Sequence, residues 1–235
     1  MAKQITQMID THCHFDMMDN PIGFIDSKEA NGDIVIGMTS CPEHFKLGLP
    51  FIKNKRCIRL ALGFHPQIAN QIQSQFRSFI GLINKTSYIG EIGLDFSREF
   101  ISFRDVQIEY FTKICQYLST STKIISIHSV KAENCVLDIL EHYQIKIPIL
   151  HWFNGSATQI QRAVNLGCYF SINEAMTLSQ KGKVAIANMP RDRILTETDA
   201  PFNRKDNIEK AICAIGMSKE EIHNNFINLI SILKS

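Results

Sequence analysis

Short, isoleucine-rich apolar runs recur along this chain, each followed by a stretch with helical patterning, and that alternation restricts the fold more than any other feature. Period and turn chemistry predict strands over 8–10, 34–39, 58–63, 88–93, 124–128, 147–151, 168–172 and 194–198. Several are almost continuously apolar, as in Ile147-Pro148-Ile149-Leu150, which suits parallel strands covered on their outer side by helices. Eight such strands predict one (β/α)8 barrel of the TIM type, a single domain over residues 1–235, and 235 residues is close to the roughly 250 that such a barrel needs.

The helices between the strands carry their own signals. Ser156 with Gln159 forms a capping box, Ile160, Ala163 and Val164 supply an apolar stripe, and Gly167 stops the helix. Phe111, Ile114, Cys115 and Leu118 repeat at helical spacing and predict a helix over 104–120. Ser218 with Glu221 caps a last helix that buries Ile222, Phe226, Leu229, Ile230 and Leu233.

Charge and cysteine usage narrow the function classes. A net charge of +2 provides no global field for coating nucleic acid, so any phosphate must be held by local groups in a cleft. Seven scattered cysteines form no C-x-x-C pair and predict reduced core thiols. The start of the chain leads into the first strand without an apolar signal region, and no apolar run approaches the ~20 residues of a membrane span, which predicts a cytoplasmic protein without membrane contact.

Candidate metal ligands fall where a barrel keeps its chemistry. His12 and His14 end the first strand two residues apart, on one face. His65 follows the third strand, Glu91 lies in the fourth, His128 ends the fifth, His151 ends the sixth and Asp199 follows the eighth. In a parallel barrel those ends converge on one mouth, so residues far apart in sequence meet there. His12, His14, Glu91, His128, His151 and Asp199 make a six-residue donor set for two divalent ions about 3.5–4 Å apart, zinc, manganese or magnesium. The predicted division gives one ion to His12, His14, Glu91 and Asp199, and the other to Glu91, His128 and His151, with Glu91 as the bridge. The predicted catalytic residues are Asp199 as proton acceptor, Glu91 as bridge and His65 as a phosphate-binding imidazole at the top of the third strand. Glu197 is predicted to support the site, Lys131, Arg204 and Lys205 are candidate phosphate holders, and His44, His142 and His223 are predicted to be helical bystanders.

These residues resemble the TatD family of metal-dependent deoxyribonucleases among the amidohydrolase-like barrels. The matching stretches are Asp10-Thr11-His12-Cys13-His14-Phe15-Asp16, Gly63-Phe64-His65-Pro66, Gly90-Glu91-Ile92-Gly93-Leu94-Asp95, Ile127-His128-Ser129, His151-Trp152-Phe153-Asn154-Gly155 and Glu197-Thr198-Asp199-Ala200-Pro201. Asn20-Pro21, Gln67, Pro148-Ile149-Leu150-His151-Trp152-Phe153 and Met189-Pro190-Arg191-Asp192-Arg193 resemble more narrowly the QatD subgroup of Qat anti-phage cassettes. The resemblance implies a DNA phosphodiesterase, most simply an exonuclease, with DNA as substrate and other Qat-type defence proteins as partners. Two departures lie near the implied phosphate: Gln67 where the family often has a second histidine, and Val130 where it often has arginine. Two other readings stay open at this point. An amidohydrolase of small cyclic amides, esters or lactones commonly bridges its metals with a carboxylated lysine on the fourth strand, and there is no lysine between Thr86 and Ser97. A catalytically silent barrel serving a defence assembly would have no physical need of this ligand set.

Overall fold

The computed structural model describes residues 7–203 and 207–234, so Arg204 and Lys205 lie outside the described residues. The strands are β1 (Ile9–Cys13), β2 (Ile34–Gly37), β3 (Ile58–Leu60), β4 (Tyr88–Asp95), β5 (Ile124–Val130), β6 (Ile147–His151), β7 (Tyr169–Ile172) and β8 (Ile194–Thr196). Every strand pairs in parallel with the next within the two runs β1 to β3 and β4 to β8. The seam between the runs is closed past β3, where the Leu62 amide donates to the Tyr88 carbonyl and the Gly90 amide to that of Leu62, at 3.0 and 2.9 Å. The other seam is closed by Thr11 Oγ1 donating to the Thr196 carbonyl (3.0 Å), Thr196 Oγ1 donating to that of Ile9, and the Asp199 amide donating to that of His12 (3.0 Å). The result is the (β/α)8 barrel.

Several strand ends differ from expectation by one or two residues, and the C-terminal ends of β1 and β3 by three. β1 runs on to Cys13, placing His12 inside the strand, because the Cys13 backbone pairs with β2 across a register shift. β3 stops at Leu60 and the chain then meets β4 through one bridge, Leu62 to Ile89.

Helices cover the sheet: α1 (Pro21–Asn31), α2 (Pro42–Ile52), α3 (Phe76–Leu82), α4 (Arg104–Leu118), α5 (Glu133–Tyr143), α6 (Ala157–Asn165), α7 (Glu174–Leu178), α8 (Gln180–Ala187), α9 (Ile208–Ala214) and α10 (Lys219–Ser231). The capping boxes of α6 and α10 form as their sequences predict, each contributing about 1 kcal/mol. In α4 the stripe Phe111, Ile114, Cys115 and Leu118 is buried, as its period requires. Among the described residues no helix is long and apolar enough to cross a membrane.

Candidate metal centre

Strands β1, β3, β4, β5, β6 and β8, with the segments just past them, bring together the residues that their sequence positions single out. Glu91 is the hub. Its Oε2 lies 3.1 Å from His14 Nε2, 3.1 Å from His65 Nε2 and 3.4 Å from His12 Nε2. Its Oε1 lies 2.6 Å from His128 Nδ1 and 3.2 Å from His151 Nε2. His12 Nε2 and His14 Nε2 are 3.2 Å apart, and Asp199 Oδ1 is 3.7 Å from each. Glu91, His12 and His14 are almost wholly buried.

Glu91 reaches this position through its strand. The β4–β5 register shifts between Ile89 and Ile92, a local irregularity of the kind that re-aims a side chain beside a site. Gly93, at φ +138, lets β4 approach β5 closely, since a Cβ there would stand 2.1 Å from the His128 carbonyl oxygen. At the rim, Lys131, Trp152 and Asp199 adopt φ of +54, +43 and +51, a backbone that costs non-glycine residues about 1–3 kcal/mol and turns the chain just past β5, β6 and β8.

This donor set fits divalent metal ions. Ligands about 2.0–2.1 Å from a tetrahedral ion stand roughly 3.3 Å from one another, and the spacings among His12, His14 and Glu91 match that edge. His14 Nδ1 is buried without a hydrogen-bond partner, an uncompensated polar atom in a crowded cluster. Among the described residues three groups of ligand atoms come together: His12 with His14 and Asp199, His12 with Glu91 and His151, and His65 with Glu91 and His128. The first follows the predicted division. The second and third differ from it, because His151 stacks on His12 with ring centroids 3.9 Å apart, while His128 is drawn the other way by Asp95.

Four of the five imidazoles, all but His14, are oriented from behind. His12 Nδ1 hydrogen-bonds Ser126 Oγ at 2.7 Å. His151 Nδ1 faces Glu197 Oε1 at 3.3 Å, and that carboxylate is held by Asn173 Nδ2 at 2.9 Å and by the Ser171 hydroxyl. His128 Nε2 lies 3.0 Å from Asp95 Oδ2. His65 Nδ1 accepts from the Gln67 amide at 3.2 Å, which leaves the proton on Nε2, facing Glu91. His65, predicted to bind phosphate with a supporting role as the other reading, is tied to the central carboxylate. Behind the cluster Asp10 accepts from the Thr198 hydroxyl (2.7 Å) and amide (3.0 Å), which joins the β1 and β8 motifs.

The electrostatics follow from burial and company. Burial alone would raise the Glu91 carboxyl, but His65, His151, His12 and His128 together hold it well below the usual range. Burial lifts Asp199 to about 7 against the opposing charge of His151, with Glu91 and Glu197 adding to the rise. Burial would lower His128, yet the Glu91 charge and the hydrogen bonds to Asp95 and Glu91 carry it to about 9. Burial also raises Asp10 to about 7, opposed by its bonds from Thr198 and His12.

Above the cluster opens a cleft of about 730 Å³ whose walls include Gln67, Val130, Lys131, Trp152, Lys181 and Phe202. Phe202 is 64% exposed and packs edge-on against His14 at 5.1 Å. The helical histidines are elsewhere: His44 pairs with Asp16 at 3.2 Å on α2, His142 packs against Tyr143 on α5, and His223 lies on α10. Sequence reasoning missed Ser126, Asp95 and Asp10 as orienting groups. The signal was period two: Asp95 shares a strand face with Glu91, Ser126 with His128, and Asp10 with His12.

Comparison with known proteins gives a consistent answer. Residues 9–223 match the family described as TatD related DNase. The chain is 30% identical over 208 residues, covering 83% of itself and 78% of the relative, to an uncharacterized metal-dependent hydrolase of Buchnera aphidicola subsp. Baizongia pistaciae. It is 29% identical over 119 residues to the 3'-5' ssDNA/RNA exonuclease TatD of Klebsiella pneumoniae, covering 48% of this chain and 45% of that one. The crystal structure of the TatD homologue YjjV from Escherichia coli superposes with a TM-score of 0.74 at 22% identity, covering 96% of this chain and 97% of that one, and shares its fold.

Proposed function

The chain belongs to the family of TatD-related DNases, and from that membership we propose that it is a metal-dependent DNA phosphodiesterase, an exonuclease working at a strand end. The observation that carries this reading is the carboxylate of Glu91, met by five imidazoles at the floor of an open cleft beside Asp199. A hydrolase of uncharged amides or lactones would have little use for the cationic and aromatic rim above that floor. The name of the Klebsiella relative supports action on a strand end.

His12, His14, Glu91, His128, His151 and Asp199 would hold two divalent ions, which when bound supply Lewis-acid polarisation of a phosphate and lower the pKa of water toward neutrality. Glu91, kept ionised by the imidazoles around it, would serve as a shared ligand of these ions. Asp199, placed beside the bound ions, accepts the proton of the attacking water, as a carboxylate next to the nucleophile can. His65, with its proton on Nε2, donates to a phosphate oxygen that reaches the Glu91 side of the cleft. Lys131 and Lys181 on the walls meet the neighbouring phosphates, and the exposed face of Phe202 gives an unpaired base a stacking surface.

The motifs that resemble the QatD subgroup support a role in anti-phage defence beside other Qat-type proteins, in the cytoplasm. Loss of phage protection in cells carrying the cassette with Glu91→Ala tests that role. The activity itself is tested with end-labelled single- and double-stranded DNA and RNA, with magnesium, manganese and zinc in turn. Stepwise shortening of single-stranded DNA is the expected result. Cleavage of a small lactone or amide, with every nucleic acid left intact, would refute the proposal.

A further inference from the structure

We infer that Gln67 and Asp95 form a relay that decides which ring nitrogen His128 turns to the metal centre, so that both act as positioning residues through a neighbouring imidazole. The inference rests on the metal reading of the site. Its starting observation is an asymmetry. His12, His14, His65 and His151 all direct Nε2 at Glu91, whereas His128 directs Nδ1, at 2.6 Å.

Asp95 accounts for the difference. It ends β4, is 2% exposed, and its Oδ2 faces His128 Nε2 at 3.0 Å. The same oxygen accepts from Gln67 Nε2 at 2.8 Å, and Oδ1 accepts from the Ser97 amide at 2.9 Å. The backbone beneath is clamped separately: the Asp95 amide donates to Gln107 Oε1 at 2.7 Å, and Gln107 Nε2 donates to the Asp95 carbonyl at 3.0 Å. The carboxylate is therefore fixed without help from His128. An ionised carboxylate only accepts, so His128 must keep a proton on Nε2, which leaves the Nδ1 lone pair for an ion beside Glu91.

Gln67 adds the second half. Its amide side chain cannot titrate near neutrality, so it holds Asp95 Oδ2 as an acceptor at any working pH. Its backbone amide donates to His65 Nδ1 at 3.2 Å, which also places the proton on Nε2 there, so His65 meets Glu91 with an N–H where His128 presents a lone pair. One residue on the cleft wall thus governs the proton positions of two imidazoles that face the same carboxylate.

The test uses the full chain, wild type beside Asp95→Asn and Gln67→Met, with zinc as probe. Two quantities are measured: zinc affinity and stoichiometry by titration calorimetry, and the protonated ring nitrogen of His128 by 15N NMR of the zinc-loaded protein. Asp95→Asn can offer His128 a donor instead of an acceptor. Its expected effects are a loss of about 10- to 100-fold in affinity for one of the two ions and a His128 no longer uniformly protonated on Nε2. Gln67→Met, a change to a side chain of similar size at a partly exposed position, should shift both quantities in the same direction by less, and it decides the matter alone if Asp95→Asn does not fold. A wild type that binds zinc, with variants matching it in affinity and tautomer, overturns the relay. A wild type that takes up no zinc overturns the metal reading and the relay with it.

Discussion

Replacing Asp199 by asparagine separates proton transfer from architecture. Asp199 sits at φ +51, a left-handed conformation that asparagine tolerates as well as aspartate and alanine does not, so the backbone bond from its amide to the His12 carbonyl survives. One side-chain oxygen also survives, 3.7 Å from His12 Nε2 and His14 Nε2 in the parent. The proton acceptor does not. An amide takes up no proton near neutrality, so the group that would receive the proton of the attacking water is gone. Turnover should fall by about 10² to 10⁴, equivalent to about 2.7–5.4 kcal/mol of barrier. Single-turnover cleavage of end-labelled single-stranded DNA, with metal content measured on the same samples, separates this loss from metal loss. A variant that holds both ions and cleaves at near the parental rate would show that the proton leaves by another route.

Glu91→Ala should lose both bound metal and activity, whereas His142→Ala, on the outer helix α5, should retain both; mass spectrometry of metal content on the two variants decides it. Because His128 is carried to about 9, above the 6.5 of an unfolded chain, its pairing stabilises the metal-free fold fully below about pH 6.5 and is lost as pH rises through about 9. Metal uptake displaces that proton, so affinity should increase from pH 7 to 9 with proton release, seen by calorimetry in buffers of different ionisation enthalpy; uptake without proton release would contradict the assignment. Phe79→Ala empties a fully buried site on α3 packed against Phe64 and Phe76, and should cost about 3–5 kcal/mol, lowering the melting temperature by roughly 10 °C while metal affinity is kept below the transition.

Local chemistry made much of this protein legible from its sequence. The capping boxes at Ser156 and Ser218 and the period-four stripe of α4 need only neighbours in the chain, and they form where the sequence places them. Eight apolar runs separated by helices have few stable solutions besides a closed barrel, and closure alone carries the residues at strand ends to one mouth. That is why His12, His14, Glu91, His128, His151 and Asp199 were identifiable as a group. Their internal arrangement was not, because it depends on partners that sequence spacing does not reveal. Which nitrogen His128 turns inward is set by Asp95 on the adjacent strand and Gln67 beyond β3, and His151 is held by stacking on His12 across the barrel. Hydrogen bonds and ring contacts act over about 3–4 Å, so they are decided by strand register and barrel curvature, and these exist only once the sheet has closed.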